Sequence, residues 1–328
     1  MKFVTYTRVE GTEPRFGYLR NDFIIDILYA AIYINENHGN SEYLSIPTSL
    51  TRALENWDGS FEKLKNLDRS LPNTLIHTYS VHGKPIAVSS DSVQFFPPVP
   101  EPKTFRDFYA FEQHVKIARK NRGLKMNPVW YDLPVFYFSN PTALFGHNDN
   151  VPYPEPTQAL DYELEIAIII ANGGKNISKD NASSFIAGYT ICNDWSARDF
   201  QKEEMKLNLG PAKGKDFATS FGPTMVTPDE LEDFTDSNGE LCLRMTCHVN
   251  NELYSQGNLK DLYHSFPKMI ERASQNAQLL PGDYIGSGTV GTGCILELDP
   301  KNVNEWLNKG DTITLTIEGL GTLENKVV

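Results

Sequence analysis

The stretch LDYELEIAIII, residues 160–170, places two glutamates at the start of the most apolar run in the chain. Side chains alternate between the two faces of a strand, so Glu163 and Glu165 are predicted to share a face that continues as Ala167 and Ile169. Like charges on a buried face repel each other unless a cation compensates them. Converging carboxylates favour a site for Mg²⁺, Ca²⁺ or Mn²⁺. The alternative is a pair of solvent-facing residues that protect a sheet edge.

A second group lies in RDFYAFEQHVKIARKNRG, which is predicted to form a helix over about residues 105–122, ended by Gly123. Asp107 and His114 are seven residues apart, close to two helical turns, so they would share a face about 10 Å apart along the axis. The non-functional alternatives are a first-turn acid favoured by the helix dipole for Asp107 and a surface or core histidine for His114.

The segment CNDWSARDFQ holds a third group. An apolar strand ends at Asp194 and a helix follows, with Arg198 and Gln201 on the side of that helix nearest Asp194. An acid, a guanidinium and an amide on one face suit a carboxylate-bearing ligand. The alternative for Asp194 is a helix N-cap.

The glycine-containing stretch LGPAKGKDFATSFGP does not have the spacing of a phosphate-binding loop, because Asp216 stands where Ser or Thr is required. Lys215 remains a candidate functional base or charge stabiliser. The alternative is an ordinary exposed lysine.

The elements that must position these residues are mostly strands. Many short strand-like runs with few helices favour an α+β fold dominated by β structure. The segment FFPPVPEPKTF, residues 95–105, has four prolines and no periodicity. It predicts a boundary between a small N-terminal β-rich (SH3-like) domain, residues 1–97, and a catalytic domain, residues 98–328.

Composition excludes several other classes of protein. The net charge is −12, from 42 acids against 30 bases, and no basic block is longer than KIARKNR, which argues against nucleic-acid binding. The four cysteines form no CxxC pair and lie in apolar segments, which predicts reduced core thiols. No run approaches the roughly 18 apolar residues of a membrane span, and the first residues lack an apolar signal region. A cytoplasmic protein without a membrane partner is therefore expected.

Taken together, these segments resemble the fumarylacetoacetate hydrolase family over about residues 100–298. The ordered motifs that carry the resemblance are RDFYAFEQH, PVWYDLPVFYF, DYELEIA, NDWSARDFQ, KGKDFATSFGP, VNNELYSQGN, LPGDYIGSGT and GCILEL. Seven or eight ordered blocks are far more specific than one motif, and several point to the fumarylacetoacetase branch. The fold implied is a mixed β-sandwich or roll.

The resemblance also implies roles for individual residues. Four acids would bind the metal ion, namely Asp107, Glu163, Glu165 and Asp194. His114 would be the catalytic base, oriented by Glu297, with Lys215 beside it. The substrate contacts would be Tyr109, Arg198, Gln201 and Thr289. A second, structural cation near Lys215 and Thr219 is a weaker implication.

Two positions depart from the branch. Met205 stands where a substrate-binding tyrosine is expected, and Gly123 stands where an arginine is expected, with Arg122 and Arg119 nearby. Both missing groups would hold the distal part of a substrate. A diketo acid with a smaller or less polar distal end than fumarylacetoacetate is therefore expected.

The activity implied is hydrolysis of a C–C bond in a small-molecule 1,3-diketo acid by a metal-dependent homodimer in aromatic amino-acid catabolism. The same metal site without water activation would instead serve a hydratase, a tautomerase or a β-keto acid decarboxylase. A non-catalytic cation-binding scaffold is the alternative outside enzymes.

Overall fold

The computed structural model describes residues 1–8, 13–74, 76–303 and 305–328. Strands predominate. In chain order they are β1 (Lys2–Thr7), β2 (Arg15–Arg20), β3 (Phe23–Asp26), β4 (Ser80–Val81), β5 (Lys84–Pro85), β6 (Ala87–Ser89), β7 (Gln94–Phe96), β8 (Phe105–Phe108), β9 (Phe136–Ser139), β10 (Leu144–Phe145), β11 (Asn150–Val151), β12 (Leu160–Asp161), β13 (Leu164–Ile170), β14 (Gly174–Lys175), β15 (Ile186–Asn193), β16 (Ser196–Ala197), β17 (Thr219–Val226), β18 (Arg244–Val249), β19 (Glu252–Asn258), β20 (Gln278–Leu279), β21 (Tyr284–Gly286), β22 (Thr312–Ile317) and β23 (Gly321–Val327).

The α-helices are short and lie between the strands. They are α1 (Ile27–His38), α2 (Leu50–Leu54), α3 (Trp57–Ser70), α4 (Glu112–Asn121), α5 (Val129–Asp132), α6 (Arg198–Glu204), α7 (Phe266–Ser274) and α8 (Ile295–Leu298). Across the described residues, none of these helices is long and apolar enough to cross a membrane. The mixed architecture with predominant sheet confirms the fold class predicted from the sequence.

Twelve strands form one sheet with the order β6-β3-β2-β1-β17-β15-β13-β21-β8-β9, to which β7 adds on β1 and β10 on β17. The antiparallel pair of β1 and β17, in which Phe3 lies opposite Met225, joins the N-terminal strands to the rest. The sheet is therefore continuous across the proline-rich segment. The division into domains at residues 97 and 98 remains a prediction.

Strand β13 lies inside this sheet and is buried on both faces. Ile166 and Ile168 face a core shared with the five-stranded sheet, whose order is β11-β23-β22-β18-β19. Ala167 and Ile169 face a second core that includes residues of α1, α2 and α3. Coverage of both faces explains why LEIAIII is apolar at every position after Glu165.

Helix α1 was not anticipated from the sequence. Its buried positions Ile27, Ala30, Ala31 and Ile34 follow the spacing of one helical face. The Asp26 side chain accepts a hydrogen bond from the backbone N–H of Tyr29, and Gly39 ends the helix in a left-handed conformation. Both caps are visible in the sequence as signals for a helix.

The predicted helix over residues 105–122 is wrong in its first third. Residues 105–108 form β8, which pairs with β21 in parallel and with β9 in antiparallel fashion. Helix α4 begins only at Glu112. Asp107 and His114 therefore do not share a helix face, because ladder bonds to distant strands override the local helical pattern.

The segment GCILEL, residues 293–298, is one of the strand-like runs of the sequence, but a strand there is wrong. Residues 295–298 form the single turn α8, which begins after Cys294. The backbone N–H groups of Ile295 and Leu296 donate to the carboxylate of Asp161 at 2.8 and 3.1 Å. A distant acid thus satisfies the first turn of this helix, which the local sequence does not reveal.

Candidate active site

Three buried carboxylates converge at one end of the large sheet. Asp107 on β8, Glu165 on β13 and Asp194, directly after β15, place one oxygen each within 4.8 Å of one another. Side chains of Asp107, Glu165 and Asp194 are at most 4% exposed. Burial excludes both solvent-facing edge residues and a surface acid at a helix start as explanations. Asp194 is also not a helix N-cap, because Ala197 occupies that position.

Strand β21 separates β8 from β13, and a glycine lets Asp107 reach across it. Gly286 lies opposite Asp107 in the parallel pair and opposite Ala167 in the antiparallel pair. A Cβ atom at residue 286 would lie 2.4 Å from Asp107 Oδ1. The backbone N–H of Gly288 donates to the same oxygen at 3.2 Å. The missing side chain at residue 286 therefore makes room for the Asp107 carboxylate.

Glu163, the fourth predicted metal ligand, lies outside this trio. Its carboxylate forms an ion pair with Lys215 Nζ and lies 2.8 Å from Arg198 Nη2. Lys215 Nζ also donates to Asp194 Oδ2 at 2.6 Å. Lys215 is 3% exposed, which excludes an ordinary surface lysine. The structure thus brings all four acids together, with two cations on the side of Glu163.

Two carboxylate oxygens in the trio lack partners. Glu165 Oε2 and Asp194 Oδ1 are buried, and no hydrogen bond reaches them from the described part of the chain. The other oxygen of Glu165 accepts a hydrogen bond from Thr289 Oγ1 at 3.2 Å. A buried, unsatisfied carboxylate oxygen is costly, and a hard divalent cation prefers such oxygen donors. The residues present therefore fit a divalent metal ion.

The electrostatics divide the four acids into two groups. Burial, and then repulsion from neighbouring carboxylates, raise the pKa of Asp107 and of Glu165 well above the usual range. Burial also acts on Glu163, but Lys215 and Arg198 outweigh it, so the pKa of that carboxyl is lowered. The pKa of Lys215 is raised, because Asp194 and Glu163 outweigh its burial. This favours the ammonium form of Lys215.

A hydrogen-bonded histidine and glutamate lie within electrostatic range of Glu163. His114 Nδ1 on α4 bonds to Glu297 Oε1 on α8, and the backbone N–H of Thr292 donates to the other oxygen of Glu297 at 3.0 Å. The Tyr109 ring packs edge-on to the imidazole, with centroids 5.3 Å apart. Burial raises the pKa of Tyr109 to about 12, so its hydroxyl stays protonated. With Nδ1 held by Glu297, Nε2 is the nitrogen that can exchange a proton with a ligand.

Arg198 and Gln201 lie together on α6 as predicted. Arg198 Nε donates to Asp161 Oδ2 at 2.8 Å, and Nη1 donates to Gln201 Oε1 at 3.0 Å. With Nη2 beside Glu163, the guanidinium is surrounded by protein groups and its pKa is raised, because Asp161 and Glu163 outweigh burial. In this structure Arg198 holds together Asp161, Glu163 and Gln201.

Sequence analysis missed two residues of the site. Asp161 joins Arg198 to the first turn of α8, the helix that carries Glu297. Tyr137 on β9 donates its hydroxyl to Asp194 Oδ2. Asp161 stands two residues before Glu163, and the same alternation could have identified it. Tyr137 lies within the quoted motif PVWYDLPVFYF but has no local signal for its partner.

The departures Met205 and Gly123 lie at helix ends. Met205 follows α6, and the next residues lead to Leu207 and Leu209, which are 81% and 96% exposed. The Glu204 carboxylate accepts backbone N–H groups of residues 212, 213 and 214 and so closes this loop at its base.

The arginines near Gly123 are held within their own segment. Arg119 Nε donates to the carbonyl of Lys125 at 2.7 Å, and Arg122 Nε donates to the carbonyl of Ala118 at 3.3 Å. In this structure neither arginine bonds to the residues of the carboxylate cluster.

Comparison with known proteins decides the family. The family model described as fumarylacetoacetate (FAA) hydrolase C-terminal matches residues 103–328, which include the carboxylate trio and the histidine–glutamate pair. The chain belongs to the fumarylacetoacetate hydrolase family. The prediction of the family from ordered motifs is confirmed. Members of the family are enzymes that use a divalent metal and act on small molecules.

Relatives in this family carry several activities. The chain is 35% identical over 198 residues to oxaloacetate tautomerase YisK of Bacillus subtilis, covering 59% of this chain and 61% of that protein. It is 31% identical to a 4-hydroxyphenylacetate degradation bifunctional isomerase/decarboxylase of Escherichia coli, covering 60% of this chain and 41% of that protein. It is 29% identical to the fumarylacetoacetase of Arabidopsis thaliana, covering 68% of this chain and 69% of that protein.

Solved structures extend the match to the whole chain. Fumarylacetoacetate hydrolase of Exiguobacterium antarcticum is 25% identical, with a TM-score of 0.68, covering 100% of this chain and 99% of that one. Maleylpyruvate hydrolase of Sphingobium sp. SYK-6, solved with manganese(II) and pyruvate, is 21% identical, with a TM-score of 0.67 and the same coverage. These matches agree with the observed fold.

Proposed function

We propose that this chain is a metal-dependent hydrolase that cleaves a C–C bond in a 1,3-diketo acid, such as fumarylacetoacetate or a related acylpyruvate. The observation that carries the proposal is that the buried His114–Glu297 pair lies within electrostatic range of Glu163, which Lys215 joins to Asp194 of the trio. A pair of this kind activates water, which hydrolysis requires and tautomerisation does not.

The reaction uses the carboxylates to hold a cation and the His114–Glu297 pair to transfer protons. A divalent cation held by the carboxylates would supply the electron sink for the enolate that C–C cleavage leaves. His114 Nε2 takes a proton from water, and the hydroxide adds to the distal carbonyl of the substrate. When the C–C bond breaks, its electron pair stays on the carbon next to the second carbonyl, and the imidazolium returns a proton there. Glu297 holds the imidazole through Nδ1 and stabilises the imidazolium.

The two buried cations assist in different ways. Lys215 is protonated and lies between Glu163 and Asp194, so it places positive charge near a developing oxyanion. Arg198 holds Gln201 towards the substrate side. Tyr109 and Thr289 are proposed substrate contacts, since both lie against the reacting groups, His114 and Glu165 respectively.

The proposal is tested with a panel of acylpyruvates, fumarylacetoacetate and oxaloacetate in the presence of Mg²⁺ or Mn²⁺. Hydrolysis is expected to release two acids from an acylpyruvate, measured by NMR. His114→Ala is expected to lower kcat by roughly 10²–10⁴-fold while cation affinity, measured by calorimetry, stays near that of the wild type. Chelation is expected to abolish turnover. Wild-type turnover by His114→Ala would disprove the role of the base.

A second candidate is a tautomerase or decarboxylase of a β-keto acid, which the 35% identity to an oxaloacetate tautomerase favours. The same cation and base would move a proton without attack by water. Conversion of enol to keto oxaloacetate with no hydrolysis of any acylpyruvate would select this candidate.

The substrate is proposed to have a smaller or less polar distal end than fumarylacetoacetate. Met205 offers an apolar, pliable wall, and Arg119 and Arg122 are engaged with their own backbone. A higher kcat/KM for simple acylpyruvates than for fumarylacetoacetate is the expected result. The homodimer, the cytoplasmic location and the cation near Lys215 and Thr219 belong to the same proposal.

A further inference from the structure

A second cluster of metal-binding side chains differs in chemistry from the carboxylate trio. His114, Cys294 and Glu297 each place one ligand atom within 4.8 Å of the others. Cys294 Sγ points at Glu297 Oε1 across 3.7 Å, and the same oxygen bonds to His114 Nδ1. In the described part of the chain this is the cluster that combines a thiol with an imidazole and a carboxylate.

The local fold directs these atoms to one point. Cys294 is the N-cap of α8 and Glu297 is the third residue of that helix, so the two side chains lie on one side of the turn. The backbone N–H of Thr292 holds Glu297 Oε2, which leaves Oε1 facing both the thiol and the imidazole. Helix α4 supplies His114, whose Nδ1 bonds to the same oxygen.

The donor set fits zinc and not magnesium. Nitrogen, sulfur and one oxygen are the ligands of Zn²⁺ sites, whereas Mg²⁺ and Ca²⁺ take oxygen ligands alone. Tetrahedral zinc with bonds of 2.3 Å to sulfur and 2.0 Å to oxygen separates these two ligands by about 3.5 Å. The observed 3.7 Å between Sγ and Oε1 is close to that value. Nδ1 and Oε1 share a hydrogen bond, and an ion between them requires a separation of about 3.3 Å, so the two side chains must move apart when the ion binds.

The Cys294 thiol must lose its proton to bind a metal ion. The side chain is 0% exposed, so it meets an ion only inside the site and not at the surface. The thiolate is the form that binds metals, and an adjacent metal ion lowers the pKa of a thiol. An ion that enters by the route of the substrate to His114 displaces the thiol proton and the proton shared by His114 and Glu297 into solvent.

We propose that His114, Cys294 and Glu297 form a thiolate-containing site for Zn²⁺, separate from the oxygen site for the catalytic cation. Zinc bound there occupies the nitrogen and the carboxylate that handle the proton, so it inhibits the enzyme while Mg²⁺ remains at the carboxylates. The inhibition rests on the proposed function, whereas the binding of the ion does not.

Binding is tested by titrating Cd²⁺, a spectroscopic substitute for Zn²⁺, into reduced protein saturated with Mg²⁺. The wild type is expected to show a cadmium–thiolate charge-transfer band in the ultraviolet that saturates at one ion per chain. Cys294→Ser is expected to lose the band, and Cys242→Ser, in which a half-buried thiol outside the cluster is changed, is expected to keep it. No band in the wild type, or a band that persists in Cys294→Ser, would overturn the site. A cadmium ion at the oxygen trio gives no thiolate band and counts as the first of these outcomes.

Inhibition is tested by adding Zn²⁺ to each protein during turnover of an acylpyruvate in excess Mg²⁺, with each rate compared to that of the same variant without zinc. Loss of the thiolate is expected to weaken zinc inhibition by at least the roughly 10–100-fold that loss of an outer metal contact causes. Equal zinc sensitivity of Cys294→Ser and wild type would overturn the inhibitory role.

An unstable variant and an inactive enzyme each leave a test of the zinc site. If Cys294→Ser melts at a much lower temperature than the wild type, Cys294→Ala and His114→Gln replace it, and each is expected to weaken or remove the cadmium band. If no substrate is turned over, the proposed function fails, and the cadmium titration still decides whether the site exists.

Discussion

Glu163 and Glu165 leave the same end of one strand on the same side, yet they lie in opposite electrostatic surroundings. Glu163 contacts Lys215 and Arg198, and its pKa is lowered. Glu165 receives one hydroxyl from Thr289 and otherwise meets Asp107 and Asp194, and its pKa is raised. The protein thus neutralises the part of the site around Glu163. It leaves the part around Glu165, two residues later, without a compensating positive charge.

The difference indicates where a cation belongs. Five buried acids, namely Asp107, Asp161, Glu163, Glu165 and Asp194, face two buried bases, Lys215 and Arg198. Arg198 lies against Asp161 and Glu163, and Lys215 lies against Glu163 and one oxygen of Asp194. The remaining negative charge is therefore concentrated on the trio, where a divalent ion would compensate it.

The largest expected effect is on the neutralised part. Glu163→Gln removes the charge that Lys215 and Arg198 share, and a buried ion pair that loses one partner typically costs about 3–5 kcal/mol. The free energy of unfolding, measured by denaturant titration with chelator present, is expected to fall by that amount. Glu203→Gln, which breaks the exposed pair with Lys206, is the control and should change the value by less than about 1 kcal/mol. Equal losses in both variants would contradict the comparison.

Asp161→Asn is expected to lower the free energy of unfolding slightly less than Glu163→Gln does. It should also affect catalysis, because Asp161 contacts both Arg198 and helix α8. It weakens the acceptor for Arg198 Nε and for the first turn of α8, each a bond worth about 1.5–3 kcal/mol to a charged group. Because α8 carries Glu297, we expect kcat to fall more than KM rises, and the pH dependence of kcat to shift. A variant that is only less stable, with an unchanged pH profile, would show that Asp161 has no role in positioning the dyad.

Glu165→Gln tests the negative part and should have the opposite sign. Removing one of three crowded charges is expected to raise the free energy of unfolding of the metal-free protein near neutral pH, because the remaining carboxylates then repel each other less. The same change is expected to abolish stabilisation by Mg²⁺ and metal-dependent activity. Thermal melts with and without Mg²⁺ measure both. Destabilisation as large as in Glu163→Gln would contradict the distinction between the two glutamates.

The raised pKa values of Asp107 and Glu165 also set a pH dependence. In the unfolded chain these groups lose their protons near pH 4. The folded protein keeps them to higher pH, so their contribution to stability is present below about pH 4 and is lost as the pH rises through the folded-state values. Metal-free protein is therefore expected to lose stability over this range, and the gain from Mg²⁺ is expected to grow. A gain from Mg²⁺ that does not change with pH would contradict the assignment.

The smallest effect is expected for Tyr137→Phe. The hydroxyl of Tyr137 bonds to Asp194 on the side shared with Lys215, so its loss should alter the metal ion only indirectly. Removal of an outer contact of a metal ligand commonly lowers affinity by roughly 10-fold or more, about 1.4 kcal/mol. Calorimetry with Mg²⁺ measures this change. Phe138→Leu, an exposed position on the same strand, is the control.

Several features of the protein are determined by the sequence itself. Alternation in ELEIAIII predicts that Glu163 and Glu165 share a face, and the apolar run predicts that the strand is covered on both sides. The ordered motifs identify the family and the candidate base, His114. These signals are local, because the period of a strand and the spacing of motifs depend on neighbouring residues alone.

Other features depend on contacts between residues far apart in the chain. The order of strands makes β8 a strand instead of the start of a helix, because its ladder partners lie about thirty and about 180 residues later. Asp161 turns the segment of Glu297 into a helix by accepting its first N–H groups from more than 130 residues away. Lys215 forms an ion pair with Glu163, and this choice of partner helps to give the two glutamates opposite pKa shifts. The sequence specifies which residues carry charge, whereas the fold decides which charges meet, because Coulomb and desolvation energies depend on distance and burial and not on position in the chain.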